Sequence, residues 1–149
     1  MSKLRTAKGD DHPDAARKHL VDAKVLLAQN RPDGAGYLSG YVVECALKSL
    51  WLYEVDVPIG RMPWGKQKAH ELSFLANQVS ALATVAGART ARYYKTATGN
   101  VPTSVIAAWN PAMRYQSPTT SASAAVAWCK IAEDVFNESV GQMMLDGVL

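Results

Sequence analysis

The sequence predicts an all-α fold, an up-and-down bundle of four long helices with short helices between them. Apolar residues recur at helical spacing in four separate stretches, and breaks rich in Pro and Gly divide them. No segment shows the sustained two-residue alternation of a half-buried strand. The most apolar stretch, Gly36 to Trp51, has no wholly polar face. Leu38, Val42, Cys45 and Leu52 form one stripe, and Val43, Leu47 and Leu50 a second. A helix apolar nearly all round belongs in the middle of a bundle, with neighbours on most sides. Its third stripe, Tyr37, Tyr41, Glu44, Lys48 and Trp51, carries a Glu-Lys pair among aromatics. On an exposed helix such a pair stabilises by about 0.2–0.5 kcal/mol, whereas in a dry setting it is costly unless further partners are supplied. This face therefore opens on a groove or meets a polar group from elsewhere.

Taken in order, residues 1–11 read as a flexible polar tail and residues 12–149 as a single helical domain. His12-Pro13-Asp14 opens the first helix, with Pro suited to the first turn and Asp to the helix dipole. Ala16, Leu20, Ala23 and Leu27 mark its core stripe. Asn30-Arg31-Pro32-Asp33-Gly34 reads as a turn, and the central helix follows to about Glu54. Residues 55–68 form an irregular connection broken by Pro58, Gly60, Pro63 and Gly65, with Trp64 as a cap over the core. The third helix starts near His70 and shows Leu72, Leu75, Val79 and Leu82; Gly87 is placed to interrupt it. Beyond it, Arg89, Arg92 and Lys95 share one flank with Tyr93 and Tyr94 beside them, either a solvated basic face or a phosphate-contacting patch. Thr98-Gly99-Asn100 reads as a turn, Pro102 to Trp109 as a short helix, and Met113 to Pro118 as an extended or tightly turned link. Thr119, Thr120 and Ser121 are candidate caps for the last helix, whose inner side carries Ala125, Trp128, Cys129, Ala132, Val135, Phe136 and Met143.

Composition narrows the functional classes. Hydrophobic content of 48% with 19% charged residues fits a globular chain, and a net charge of +3 permits a nucleic-acid partner without requiring one. No apolar run reaches membrane-spanning length and the start lacks an apolar leader, which points to a cytoplasmic protein. Cys45 and Cys129 lie in apolar helical patterns, as two free core thiols. The Cys and His spacings suggest no metal site, and no Gly-rich phosphate loop or nucleophile elbow is present, so no cofactor is implied.

Three motifs add a family resemblance. The run Ala35-Gly36-Tyr37-Leu38-Ser39-Gly40-Tyr41-Val42-Val43-Glu44-Cys45-Ala46-Leu47-Lys48 resembles the second-helix signature of HEPN domains. There, an aromatic and small-residue approach leads to Glu, a few apolar residues and Leu-Lys. His70-Glu71-Leu72 resembles the His-acidic-Leu that opens the third helix of that family, and Trp109 followed by Arg114-Tyr115 is similar to its Arg-Tyr motif. The resemblance runs from about Asp14 to Met144. It implies a helical bundle, commonly dimeric, from a family of ribonuclease toxins, partners of small nucleotidyltransferases, and modules that bind nucleotides or RNA. By that resemblance the chain is a nucleotide-, RNA- or partner-binding module of a toxin–antitoxin or defence pair. The nuclease members carry an Arg followed a few residues later by a His, and no His follows Arg114. Arg61 and His70 are too far apart and straddle a loop, while Arg5 and His12 have the spacing but lie in the tail. A non-standard, metal-independent ribonuclease and a purely structural interaction domain are the alternatives.

Glu44, His70 and Arg114 are the candidate catalytic residues if the chain is an enzyme, since RNA cleavage needs a base for the 2′-hydroxyl and a cation on the phosphate. The ligand or RNA candidates are Tyr41, Lys48, Arg89, Arg92, Tyr93, Lys95, Arg114 and Tyr115. Two readings of Arg114 stand open: a bidentate pair with Glu44, with Lys48 at its edge, or a phosphate ligand in an open groove. His70 reads as a helix-opening residue bonded to backbone, and Tyr115 as a core aromatic with a tethered hydroxyl. Tyr37, Tyr41, Trp51 and Trp64 exceed what one small core easily hides, so a homodimer is expected, with a nucleotidyltransferase as a possible addition.

Overall fold

A computed structural model describes residues 1–55 and 63–149, and among them every regular element is helical. Helix α1 spans His12–Ala28. Its start is fixed by Asp11, whose Oδ1 accepts from the Asp14 N–H at 3.2 Å, with Pro13 in the first turn where no amide donor is needed. Ala16, Leu20 and Ala23 turn inward as their spacing predicts. Residues 1–11 form no helix, but they are tied to the start of α1. The Ser2 N–H and hydroxyl donate to the Asp11 carboxylate at 2.7 and 2.8 Å, and Leu4 packs against the core.

Helix α2 spans Pro32–Val55. It starts inside the segment expected as a turn, because Pro32 takes the first helical position and Asp33 the first turn, where each is favoured. The reversal is confined to residues just before it, with Asn30 at φ 55°. Every residue from Val42 to Leu50 is buried, so the expectation of a central helix holds. The buried hydroxyls of Ser39 and Ser49 donate back to the Ala35 and Cys45 carbonyls, both at 2.7 Å, and so are satisfied within the helix.

Helix α3 spans Leu72–Ala83, entered through a 3₁₀ turn at Lys68–His70. Of the connection before it, Pro58, Gly60 and Arg61 lie outside the described residues. Trp64 packs edge-on against Trp51, ring centroids 4.8 Å apart, and against Phe74 at 5.8 Å, as a cap on the core. After α3, Gly87 takes φ 81°, a conformation that favours glycine, and a 3₁₀ turn follows at Arg89–Arg92.

The next segment departs from expectation. Residues read as a turn form a short helix α4, Thr96–Asn100, pinned because the Ala97 N–H donates to Glu138 Oε2 at 2.7 Å. The expected helix from Pro102 to Trp109 is instead two 3₁₀ turns, Val101–Thr103 and Val105–Ala108, separated by extended backbone at Ser104. A third 3₁₀ turn, Pro111–Tyr115, carries the link. Helix α5 spans Ala122–Phe136, and of three candidate caps Ser121 is the one used, accepting from the Ala124 N–H at 3.1 Å. A π turn at Asn137–Gly141 leads into α6, Gln142–Leu145.

α1, α3 and α5 all pack on α2, and α1 also meets α5. The surface aromatics find partners within the chain: Tyr37 and Tyr41 meet each other and Trp109, and Trp51 meets Trp64. They therefore no longer argue for a second copy. No helix among the described residues is long and apolar enough to cross a membrane. Cys45 and Cys129 are buried and free.

One close approach locks the link to α2. The Trp109 indole, 2% exposed, lies on the backbone of Gly40, where an added β-carbon would sit 2.2 Å from ring atoms. Its Nε1–H donates to the Tyr37 carbonyl at 2.9 Å. In an open helix interior Gly→Ala gains about 1 kcal/mol. Here Gly40→Ala is expected to lower stability, because the indole must leave its slot, and Trp109→Ala is expected to cost about 3–5 kcal/mol. Urea unfolding curves check both signs; a stabilised Gly40→Ala protein would show that the indole does not need this contact.

Candidate functional site

The polar stripe of α2 meets a histidine rather than an arginine. Glu44 and Lys48 lie one helical turn apart with side chains only 4% and 7% exposed. Glu44 Oε1 accepts from Lys48 Nζ at 2.6 Å, and Oε2 lies 2.9 Å from Nδ1 of His70. The 3₁₀ turn Lys68–His70 presents His70 to α2, with its side chain 41% exposed. Burial alone would raise the Glu44 carboxyl, but the His70 hydrogen bond and the Lys48 ammonium outweigh it and hold the group below its ordinary value. An ionised Glu44 makes Nδ1–H the donor, which fixes the imidazole tautomer and leaves Nε2 as the ring's acceptor nitrogen.

His70 also lines a cleft of about 480 Å³, together with Gln67, Glu71, Trp109, Asn110, Pro111 and Ala112. The cleft thus has one wall from the entry to α3 and another from the link after Trp109. Behind it runs an aromatic seam: Tyr41 stands edge-on to Trp109 at 4.9 Å and to Tyr37 at 5.1 Å, and the two tyrosine hydroxyls are 3.2 Å apart. Burial, then the hydrogen bond shared with the Tyr37 hydroxyl, raises the Tyr41 phenol above its usual value, so it stays a neutral hydroxyl. From α1, His19 sits beside Tyr41, ring centroids 5.5 Å apart.

Sequence reasoning missed a further neighbour. His12 opens α1 as the sequence predicts, but it also feels the Lys48 and Glu44 charges, which its sequence position does not announce. Burial lowers its pKa, and the Lys48 ammonium lowers it further, so His12 remains neutral. Arg5, its partner by spacing, turns away, with Nε donating to the Gly9 carbonyl at 3.4 Å. No signal in the sequence marks Gln67 or Asn110 as cleft residues except the Asn110-Pro111 break.

Several expected roles are corrected. Arg114 does not meet Glu44, whose partners are Lys48 and His70. It is exposed, its guanidinium 4.8 Å above the Tyr115 ring, with the Tyr37 hydroxyl as a hydrogen-bonding neighbour. The reason is that Trp109 takes the inward position on α2 and the turn Pro111–Tyr115 carries Arg114 outward. Tyr115, expected in the core, is 80% exposed. His70 bonds a carboxylate, not backbone.

Two cations of the Arg89-Arg92-Lys95 flank, Arg89 and Arg92, are engaged in structure, while Lys95 is exposed and bonds through its backbone. Arg89 Nη2 donates to the Tyr53 and Glu54 carbonyls at 2.6 and 3.2 Å, closing the C-terminus of α2 where a cation is favoured. Arg92 pairs with Asp146 at 2.9 Å. Tyr93 is buried and its hydroxyl donates to Asp146 Oδ2 at 2.9 Å. The Lys95 N–H donates to Thr98 Oγ1 at 3.2 Å at the start of α4.

Among the described residues no group of three or more His, Cys, Asp or Glu side chains is placed to hold a metal ion. No family model matches the chain, and neither does any curated protein or any solved structure.

The cluster gives stability a definite pH dependence. His12 and His19 titrate below 6.5 in the fold, burial being the main cause for both. The unfolded chain therefore takes up their protons first, and stability falls as pH drops below 6.5. The depressed Glu44 contributes in full above 4.5, and that contribution is lost as pH falls toward its folded value. Unfolding free energies across this range should decline in two stages, and Glu44→Gln should blunt the lower one. At neutral pH Glu44→Gln should itself cost about 3–5 kcal/mol, because Lys48 loses its buried counter-charge. A flat profile through both stages would contradict the assignment.

Proposed function

We propose that the chain is a HEPN-like up-and-down bundle of four long helices that binds single-stranded RNA or a nucleotide at the His70 cleft. One observation carries this reading: the buried Glu44–Lys48–His70 cluster opens on a cleft of about 480 Å³. A buried ion pair is weak support for stability, because apolar residues of similar volume serve as well or better. A buried carboxylate that hydrogen-bonds and so orients a half-exposed side chain lining a cleft is instead a mark of function. Around His70 the cleft offers Gln67 and Asn110 amides for base edges and the apolar walls of Trp109 and Pro111. RNA recognition draws on such a mixture of hydrogen-bonding edges and flat surfaces. The chain's net charge of +3 permits a polyanionic ligand, and the cleft itself carries the Glu71 carboxylate beside His70. Membership of a toxin–antitoxin or defence pair, a homodimer and a nucleotidyltransferase partner belong to the same proposal, through the resemblance alone.

A second reading is favoured by the Glu44–His70 hydrogen bond. A carboxylate that accepts from Nδ1–H holds the ring in one orientation, as a positioned general base requires. His70 Nε2 would take the proton of an RNA 2′-hydroxyl, whose oxygen attacks the adjacent phosphorus and displaces the 5′-oxygen, which takes a proton from water and leaves as a 5′-hydroxyl. The product end would be a 2′,3′-cyclic phosphate, formed without a metal.

Fluorescence anisotropy with a labelled oligouridylate tests the binding reading. The wild-type protein should bind with an affinity that falls as salt rises. His70→Ala should weaken it by about tenfold, the equivalent of about 1.4 kcal/mol. Absence of salt-sensitive binding, or an unaffected His70→Ala protein, would overturn the reading. Incubation of the same RNA in EDTA decides on catalysis: cleavage lost in His70→Ala and Glu44→Gln supports the second reading, and intact RNA removes it.

A further inference from the structure

A second hollow lies on the other side of the same link. It measures about 200 Å³ and is walled by Asp33 and Tyr37 of α2 and by Arg114, Gln116, Thr119 and Thr120. Asp33 brings a negative charge, but that charge is already committed. Its Oδ1 accepts the Thr119 and Thr120 N–H groups, both at 2.9 Å, in the first turn of α2. The Thr120 N–H is the main cause that holds this carboxyl below its ordinary value. Arg114 has no such commitment. No carboxylate lies within ion-pair reach of it among the described residues, and its polar neighbours are the Tyr37 and Tyr115 hydroxyls.

Tyr115 adds the second half. It is 80% exposed, far beyond what a tyrosine needs to wet its hydroxyl. One side of its ring holds the Arg114 guanidinium at 4.8 Å, which leaves aromatic surface open to solvent. A short 3₁₀ turn between Pro111 and Pro118 presents both residues, so little freedom remains to be lost on binding. An aromatic face beside a guanidinium without a counter-charge is the equipment that receives one nucleotide of a single strand, base on the ring and phosphate on the cation.

A hydrogen bond joins the linings of the two hollows. Tyr37 lines the second hollow, and its carbonyl accepts the indole N–H of Trp109, which lines the His70 cleft. We propose that the hollow lined by Arg114, together with the exposed Tyr115 ring that stacks on its guanidinium, is a second nucleotide subsite, so that one RNA strand crosses the link and is held at His70 on one side and at Arg114 on the other. The proposal rests on the RNA reading of the cleft. An acidic peptide would satisfy Arg114 equally well but would leave the Tyr115 ring without a role.

The test uses a labelled oligouridylate, with uridine monophosphate and polyglutamate as competitors, on the whole chain. Tyr115→Ala should weaken RNA binding about tenfold, within the effect of one lost stacking contact, while Tyr115→Phe retains it. Arg114→Ala should weaken binding and reduce the slope of log affinity against log salt by about 0.7, the loss of one phosphate contact with a single strand. Both variants should melt at the wild-type temperature, since both side chains are exposed; a lowered melting temperature with unchanged binding would show a structural role and overturn the subsite. Uridine monophosphate should compete far more weakly than the oligonucleotide. If His70→Ala weakens RNA binding while Arg114→Ala and Tyr115→Ala bind as wild type, the subsite fails and the cleft reading stands. If wild type binds no RNA, the cleft reading itself fails. Polyglutamate displacing the RNA at equal charge, with Tyr115→Ala indifferent, would assign Arg114 to an acidic protein and overturn the proposal.

Discussion

The indole of Trp109 on the backbone of Gly40 is the contact on which the arrangement of this surface depends. Only a residue without a β-carbon lets a ring approach a helix this closely. The Tyr37 carbonyl, one turn earlier, has a second lone pair to offer, and the indole N–H uses it. Position and orientation of the ring are therefore both set by α2. The ring then supports Tyr41 and Tyr37 on one side and starts the turn Pro111–Tyr115 on the other. Without it the cleft beside His70 loses a wall and Arg114 loses its fixed place beside Tyr37.

The Glu44–Lys48–His70 cluster is the opposite kind of feature, one that folding alone does not ask for. Helix α2 has apolar residues at nearly every other buried position, and apolar residues at both 44 and 48 would pack there with no charge to desolvate. A charge pair at the same place is tolerable only because both Glu44 oxygens have donors, Lys48 on one and His70 on the other. Two of the three members are almost dry, while the third reaches the cleft. That gradient from buried carboxylate to half-exposed imidazole is what orients the ring at the edge of the cleft.

The sequence made α2 legible because its periodicity covers nearly the whole circumference, a pattern that has one simple interpretation. The odd stripe of Tyr41, Glu44 and Lys48 was legible for the same reason: polar residues stand out on an apolar cylinder. The partner of Glu44 was not. Arg114 has the better chemistry for a carboxylate, but position depends on the 3₁₀ turns at Lys68–His70 and Pro111–Tyr115, and three-residue hydrogen bonding leaves no apolar period to read. The link sends one large residue inward at α2, and Trp109 fills that place. Likewise α4 exists because Glu138 on a distant segment binds its first turn, a tertiary effect that local propensity cannot show. Pro32 misled by the usual double meaning of proline, which ends one element and can begin the next.

Positive charge is committed to the fold differently at the link and at the more basic flank. Arg89 is spent on the carbonyls that end α2, where the helix dipole concentrates negative potential. Arg92 is spent on Asp146, which also fixes the buried Tyr93 hydroxyl, so the flank is nearly neutral at its centre. A phosphate arriving there must displace an existing partner and recover the loss. At Arg114 it meets a cation whose neighbours are two phenols and an aromatic face. The same formal charge is therefore worth more to a ligand at the link, because none of it has been used to hold the fold together.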